Sequence, residues 1–284
     1  GFIEFLHNLQ FYCLAVVCAD DPGVNDILTD IGRAVTTYGT HEDADIRAVN
    51  IEFNENTTEF DVIRSSKAEE SLGDTQSVYP FLHVKLRLPG MHNVRNSLAA
   101  IAVADELQIG DQAVVAALEK FEGIDRRFQI LGDVQTQKGT VTIIDDYGHH
   151  PTEVAATLAA AKSGYPDRRV VLVFQPHRYT RTRDLMDDFA TVLSEADALV
   201  LLDVYAAGED PIAGADGRSM ARAIRTRGAV EPVFVESLDD LAQVLEGVLE
   251  DGDLVLTMGA GNISAYAHSL PEQLGKGPSL KVQA

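Results

Sequence analysis

The sequence predicts an α/β protein in two regions: a first with a mixed sheet, and a second built as a Rossmann-like, mostly parallel, doubly wound sheet. Three observations predict it. In the second half, short apolar β-like runs alternate with helical patterns, the rhythm of a parallel sheet covered on both faces. In the middle of the first half the apolar period drops to two, which indicates antiparallel strands. The 284 residues suit about two domains at roughly 150 residues each, and 45% hydrophobic content is enough for ordinary cores.

Phe2 to Leu6 reads as the end of a helix with no capping residue before it, so a continuation upstream of Gly1 is expected. A buried strand at Leu14 to Cys18, a turn at Asp20-Asp21-Pro22-Gly23, a helix near Val24 to Ile31 and a strand at Ala34 to Tyr38 make a β-α-β rhythm. Between Ile46 and Leu88 alternation, as in Leu82-His83-Val84-Lys85-Leu86, predicts two or three antiparallel strands. Ala-rich, periodic Asn93 to Leu107 and then Asp111 to Phe121 are two helices, and the boundary falls near Glu122 to Arg126. The regions are taken as 1–123 and 124–284.

Beyond the boundary, strands are expected at Val141 to Ile144, Val170 to Phe174, Ala198 to Val204, Pro232 to Val235 and Leu254 to Met258. The polar tail from Gln273 to Ala284 reads as frayed.

With 44 acidic and 23 basic residues, the net charge of -21 argues against a nucleic-acid or anionic-membrane partner. It also suits solvation in a salty cytoplasm. No apolar run approaches the roughly 20 residues of a membrane span, and no secretory signal is evident, so a cytoplasmic location is expected. Cys13 and Cys18 point to opposite faces of their strand and read as buried apolar thiols, not as a disulfide or metal pair.

Two clusters carry most of the chemistry. Asp145-Asp146-Tyr147-Gly148-His149-His150-Pro151-Thr152-Glu153 follows one β-like run, and Gln175-Pro176-His177-Arg178-Tyr179-Thr180-Arg181-Thr182-Arg183 follows the next. Ligand sites of α/β proteins lie at such positions. A capped helix start accounts for Pro151 to Glu153 but not for the acids, tyrosine and histidines before them. Arg178 and Arg181, three apart, can converge on one anion, whereas Arg183 beside Asp184 fits a surface pair.

Asn93 and Asn96 follow the turn Leu88-Pro89-Gly90 on a shared helix side. They suit either a helix cap and solvation or the reading of a base edge, since each amide both donates and accepts. Asp125-Arg126-Arg127-Phe128 at the boundary is a basic pair suited to phosphates or a solvated linker. Met258-Gly259-Ala260-Gly261-Asn262 suits either a phosphate cradle or close strand-to-helix packing. No Gly-Lys-Ser or Gly-Lys-Thr phosphate loop occurs.

These motifs, in this order and spacing, resemble the Mur ligases, and within them the branch that joins L-alanine to UDP-N-acetylmuramate. The resemblance covers nearly the whole chain, including Phe5-Leu6-His7-Asn8-Leu9 and Leu201 to Glu209. It implies the later part of an ATP-binding central domain followed by a complete Rossmann-like C-terminal domain. The implied reaction, in peptidoglycan precursor synthesis, is ADP-forming: ATP phosphorylates the muramate carboxylate and the alanine amine attacks the acyl phosphate.

By position, the resemblance implies that His92, Asn93 and Asn96 read adenine, that Asp146 lies near the ribose and that Arg127 lies near the ATP phosphates. It places Tyr147 and His149 at the joining centre, with His177, Arg178 and Arg181 gripping the alanine carboxylate or another substrate anion. The family's Gly-rich phosphate loop, its magnesium ligands and its UDP-binding domain are all expected upstream of Gly1. No metal ligand is therefore assigned within this chain, and it is expected to be inactive alone. A non-catalytic module that binds nucleotide or a partner stays open as the other reading.

Overall fold

The computed structural model describes residues 2–8, 10, 12–65 and 82–275. They divide into two compact units, Gly1–Glu122 and Gly123–Ala284.

The first unit is built on a five-stranded sheet whose spatial order follows the chain. After helix α1 (Phe2–His7) come β1 (Leu14–Cys18), β2 (Ala34–Gly39), β3 (Ile46–Asn54), β4 (Thr57–Arg64) and β5 (Leu82–Leu86). β1 to β3 pair parallel and β3 to β5 antiparallel. The antiparallel part follows from period two: Leu82, Val84 and Leu86 are buried, while His83 and Lys85 turn outward to Asp61 and Glu59 on β4. β3 carries a bulge between Val49 and Glu52, where Asn50 takes φ 52°, a region Asn tolerates better than most residues.

The helix expected near Val24 to Ile31 is not continuous. It is replaced by α2 (Pro22–Asn25) and a single 3₁₀ turn at Leu28–Asp30. The start is earlier because the Asp21 carboxylate accepts from the Val24 N–H and Pro22 suits the first turn. Helix α3 (Met91–Glu106) then covers the sheet, placing Val94, Leu98 and Ile101 against Phe60, Val62, Val84 and Leu86. α4 (Asp111–Lys120) completes the unit.

The second unit holds β6 (Gln129–Thr136), β7 (Gly139–Asp146), β8 (Val170–Phe174), β9 (Ala198–Leu202), β10 (Val233–Val235) and β11 (Leu254–Met258), in the order β10-β9-β8-β11-β7-β6. All pair parallel except β6, which is antiparallel to β7. β8 is buried along its whole length, the mark of a strand covered on both faces. Ile144, Leu172, Leu201 and Leu256 face α5 (Pro151–Gly164), α7 (Met186–Leu193) and α8 (Gly217–Arg227), beside the short α6 (Tyr179–Asp184). Alternate residues Ile143, Val171, Val200 and Val255 face α9 (Leu241–Val248) and α10 (Ile263–Gly275).

Sequence reasoning missed β6, a polar edge strand bulged at Gly132 and buried fully only at Val134. Of the tail expected to fray, Gln273 to Gly275 belong to α10, where the Gln273 amide bonds the Tyr266 hydroxyl and Ser269. The rest of that tail lies outside the described residues. Cys18, at the end of the edge strand β1, and Cys13, just before that strand, are free thiols, but each is half-buried.

Candidate active site

Parallel strands share a direction, so the loops after β7, β8, β9 and β11 rise from one edge of the second sheet. They are tied together by main-chain hydrogen bonds. Arg178 N donates to Tyr205 O at 2.9 Å, Tyr205 N to Pro176 O at 2.8 Å, and Gln175 N to Met258 O at 3.0 Å. Gly261 lets the β11 loop close: a Cβ there would lie 2.5 Å from Gln175 Oε1 and 2.7 Å from Tyr205 Cγ.

On this scaffold four rings stand in a row. Tyr147 meets His149 edge to face at 5.1 Å between centroids, His149 meets His177 at 5.9 Å, and His177 stacks on Tyr205 at 5.6 Å. The guanidinium groups of Arg126 and Arg127 lie 4.7 and 5.6 Å from the Tyr147 ring centroid, within cation–π range. Capping sets the placement of His149. His150 is the N-cap of α5, and Glu153 Oε2 reaches back to the main-chain N–H groups of His149 (2.9 Å) and His150 (3.1 Å).

The two acids at the end of β7 lie beneath this row. Asp145 is fully buried and bonded by Ser264 Oγ at 2.7 Å and Thr257 Oγ1 at 3.1 Å, with Arg126 Nε at 3.4 Å. Asp146 spends both oxygens on main-chain donors, Phe128 N at 2.8 Å and Gly148 N at 2.7 Å. Burial pushes its carboxyl above the ordinary range despite those two bonds.

The adjacent boundary arginines point to different tasks. Arg126, at φ 61°, reaches inward to Asp145 and donates to Gly259 O at 2.6 Å, while Arg127 stays half-exposed 3.7 Å from Glu153.

Arg178 caps α6 at φ 72°, with its carbonyl held by the Thr182 N–H and hydroxyl. Its guanidinium is half-exposed, 4.0 Å from Glu209, which also takes the Thr180 N–H and hydroxyl. Arg181 donates to His177 O and to His177 Nδ1, at 3.2 and 3.3 Å. Burial, then the nearby Arg181, His149 and Arg178, hold the His177 imidazole below its ordinary pKa. Arg183 is exposed and pairs with Asp184 at 2.7 Å.

The remaining candidates lie in the first unit, at the start of α3. Gly90, at φ 96°, is the N-cap, so Asn93 is not the cap. The Asn93 amide donates to Pro89 O at 2.7 Å, leaving its oxygen and a second N–H for another partner. Asn96 is exposed one turn on, and His92 is half-buried beside them. Arg95, on the same helix, pairs at 2.8 Å with Asp20, which anchors α3 near its start to the turn after β1.

Among the described residues no group of three or more His, Cys, Asp and Glu is placed to hold a metal ion. Arg126, Tyr205 and Glu209 are contributors that sequence reasoning did not select. Arg126 was visible only as half of a basic pair, and Tyr205 and Glu209 only as part of the run from Leu201 to Glu209.

Residues 2–104 match the Mur ligase middle domain and residues 126–261 the Mur ligase glutamate ligase domain. The chain belongs to the Mur ligase family. Among solved Mur ligases it is similar to the UDP-N-acetylmuramate-alanine ligase MurC of Thermotoga maritima, with 28% identity and a TM-score of 0.71 over 93% of this chain and 52% of that one. A murein peptide ligase of Psychrobacter arcticus shares the fold at 21% identity and TM-score 0.66, over 98% and 55% of the two chains. So does the Mur ligase MurF of Thermotoga maritima, solved in complex with ADP, at 17% identity and TM-score 0.66, over 96% and 56%. The chain thus spans about half the length of these Mur ligases.

Proposed function

We propose that the chain, 1–123 and 124–284, is the later central part and the C-terminal domain of an ATP-dependent ligase that joins L-alanine to UDP-N-acetylmuramate in peptidoglycan precursor synthesis. The observation that carries this reading is the convergence of Tyr147, His149, His177, Arg178 and Arg181 on one sheet edge, within a chain similar to an alanine-adding ligase. Arg178 and Arg181 suit the carboxylate of the amino acid, because guanidinium forks match that group. Tyr147 and His149 line the joining centre. Stabilising the developing negative charge as the amine attacks the acyl phosphate is the task for the Tyr147 hydroxyl and the arginine guanidinium groups.

In the first unit, His92, Asn93 and Asn96 take the adenine, the spare donor and acceptor of Asn93 suiting a base edge. Arg127 is assigned to the ATP phosphates. Asp146 is assigned to the nucleotide side of the site as a positioning group, since both its oxygens hold the main chain. Magnesium is assigned to no residue of this chain.

The test is phosphate release by the whole protein with ATP. Release that requires both UDP-N-acetylmuramate and L-alanine, with the amide product seen by mass, supports the reading. Dependence on a different amino acid or on a preformed peptide would move the chain to another branch of the family. Nucleotide binding without any turnover would make it a binding module.

A further inference from the structure

Two histidines face each other in the candidate site with opposite hydrogen-bonding surroundings. His149 Nδ1 lies 3.0 Å from the Tyr147 carbonyl oxygen and 3.4 Å from Glu153 Oε2. Both neighbours only accept, so Nδ1 carries the proton and Nε2 keeps its lone pair. His177 is the reverse. Its Nδ1 lies 3.3 Å from Arg181 Nη1, and a guanidinium only donates, so Nδ1 accepts and Nε2 carries the hydrogen. A proton acceptor and a proton donor therefore stand side by side, with ring centroids 5.9 Å apart.

The two rings also differ in what supports a positive charge. His149 has the Glu153 carboxylate against it, while His177 is flanked by Arg178 and Arg181. Burial pushes the Glu153 carboxyl up, but the His149 N–H, His149 itself, the His150 N–H and Arg127 bring it below its ordinary range. An acid that orients an imidazole and stabilises its cation is the arrangement that makes histidine an effective base. The joining step needs such a base, because an amino acid arrives as an ammonium ion with no lone pair to attack.

We propose that His149 is the general base of the joining step, oriented by Glu153, and that His177 acts beside it as a neutral hydrogen-bond donor. This rests on the ligase reading above. One proton passes from the ammonium nitrogen to His149 Nε2. The freed lone pair forms the bond to the acyl carbon, and the carbon–oxygen bond to phosphate breaks, the oxygen keeping its electron pair. The second proton of the attacking nitrogen leaves with the phosphate as hydrogen phosphate. The imidazolium, held against Glu153, returns its proton to water.

The charged and titratable groups facing His149 are Tyr147 in its own loop, Glu153 on α5 with Arg127 across it, and His177 after β8 with Arg178 and Arg181 behind. Glu153→Gln keeps a capping-box acceptor at the start of α5 while removing the charge, so it separates orientation of the ring from folding of the helix.

The experiment compares L-alanine with hydroxylamine, a nucleophile already unprotonated at neutral pH, as acceptors in the whole protein. His149→Gln is expected to lower L-alanine joining by about 100- to 10,000-fold, the usual worth of a general base, while hydroxamate formation stays near wild type. The residual L-alanine rate should climb with pH as the free amine grows. Glu153→Gln should fall in the same direction by less, with nucleotide affinity unchanged. If hydroxamate formation falls in parallel with L-alanine joining, His149 is not the base.

Nitrogen-15 shifts of the histidine-labelled chain test the geometry without any turnover: Nδ1–H at His149 and Nε2–H at His177 are expected. The opposite tautomers would overturn the inference. If the wild-type protein forms neither amide nor hydroxamate, the ligase reading itself has failed, whatever the tautomers.

Discussion

At the residue scale, adjacent arginines show how little a residue type says until its surroundings are known. Arg126 is the partner of fully buried Asp145, whereas Arg127 faces Glu153 at the surface. Removing one member of a buried pair leaves an uncompensated charge, so Arg126→Ala should lower unfolding stability by about 3 kcal/mol in a urea titration. Arg127→Ala should change it by less than about 1 kcal/mol. Equal effects would mean that the Arg126–Asp145 contact carries no weight. Arg178→Ala should instead act on function, raising the L-alanine KM roughly 10- to 100-fold through a lost charged hydrogen bond, with ATP affinity unchanged. A collapse of ATP affinity would reassign Arg178 to the nucleotide. His177 links site and stability through pH. Its folded pKa lies below the ordinary value, so its contribution is complete above about pH 6.5 and is lost as pH falls from there through the folded value. Between about pH 7.5 and about pH 5 the wild-type urea midpoint should fall further than that of His177→Gln. The clusters around His149 and Arg178 were legible because polar residues after a buried strand are costly unless used. The tautomers were not, because they depend on Glu153 and Arg181 being folded against the rings.

At the element scale, legibility followed burial. β8, β9 and β11 stood out because both their faces are covered and Thr257 alone interrupts their apolar runs. β6 did not, because an edge strand with a glycine bulge leaves no period to detect. The first-unit helix expected at Val24 to Ile31 differs for a related reason: its apolar spacing is helical, but Asp21 starts the helix earlier and it closes after Asn25. Close approaches are the other feature that periodicity cannot show. Gly261 reads as a phosphate cradle or as packing, and the 2.5 and 2.7 Å distances that a methyl group at this position would have favour packing as a physical requirement. Gly261→Ala should therefore cost about 1 to 3 kcal/mol and disturb the Tyr205 stack on His177. Gly247→Ala, in α9 with nothing within 4 Å, should instead stabilise by about 0.5 to 1 kcal/mol. A neutral Gly261→Ala would show that the β11 loop can shift and that the ring row is not held by it.

At the scale of the whole molecule, charge is the property that local contacts do not explain. The 44 acidic residues outnumber the 23 basic ones, and many of the arginines are already paired, as Arg64 is with Asp105 and Asp111 and Arg169 with Glu250 and Asp253. The excess acids therefore repel one another in the folded state more than in an expanded chain, and salt should relieve that repulsion. The Debye length falls from about 10 Å at 0.1 M to about 3 Å at 1 M, so simple screening should raise the thermal midpoint steeply at first and then level off. Each kcal/mol of relief should appear as roughly 2 to 4 °C. Adaptation to a saline environment makes a different prediction: the midpoint continues to climb through molar potassium chloride, after screening is exhausted. A thermal scan series in potassium chloride separates the two by where the curve flattens. A midpoint indifferent to salt throughout would show that the excess acids lie too far apart to act on one another and that the acidic composition has no part in stability.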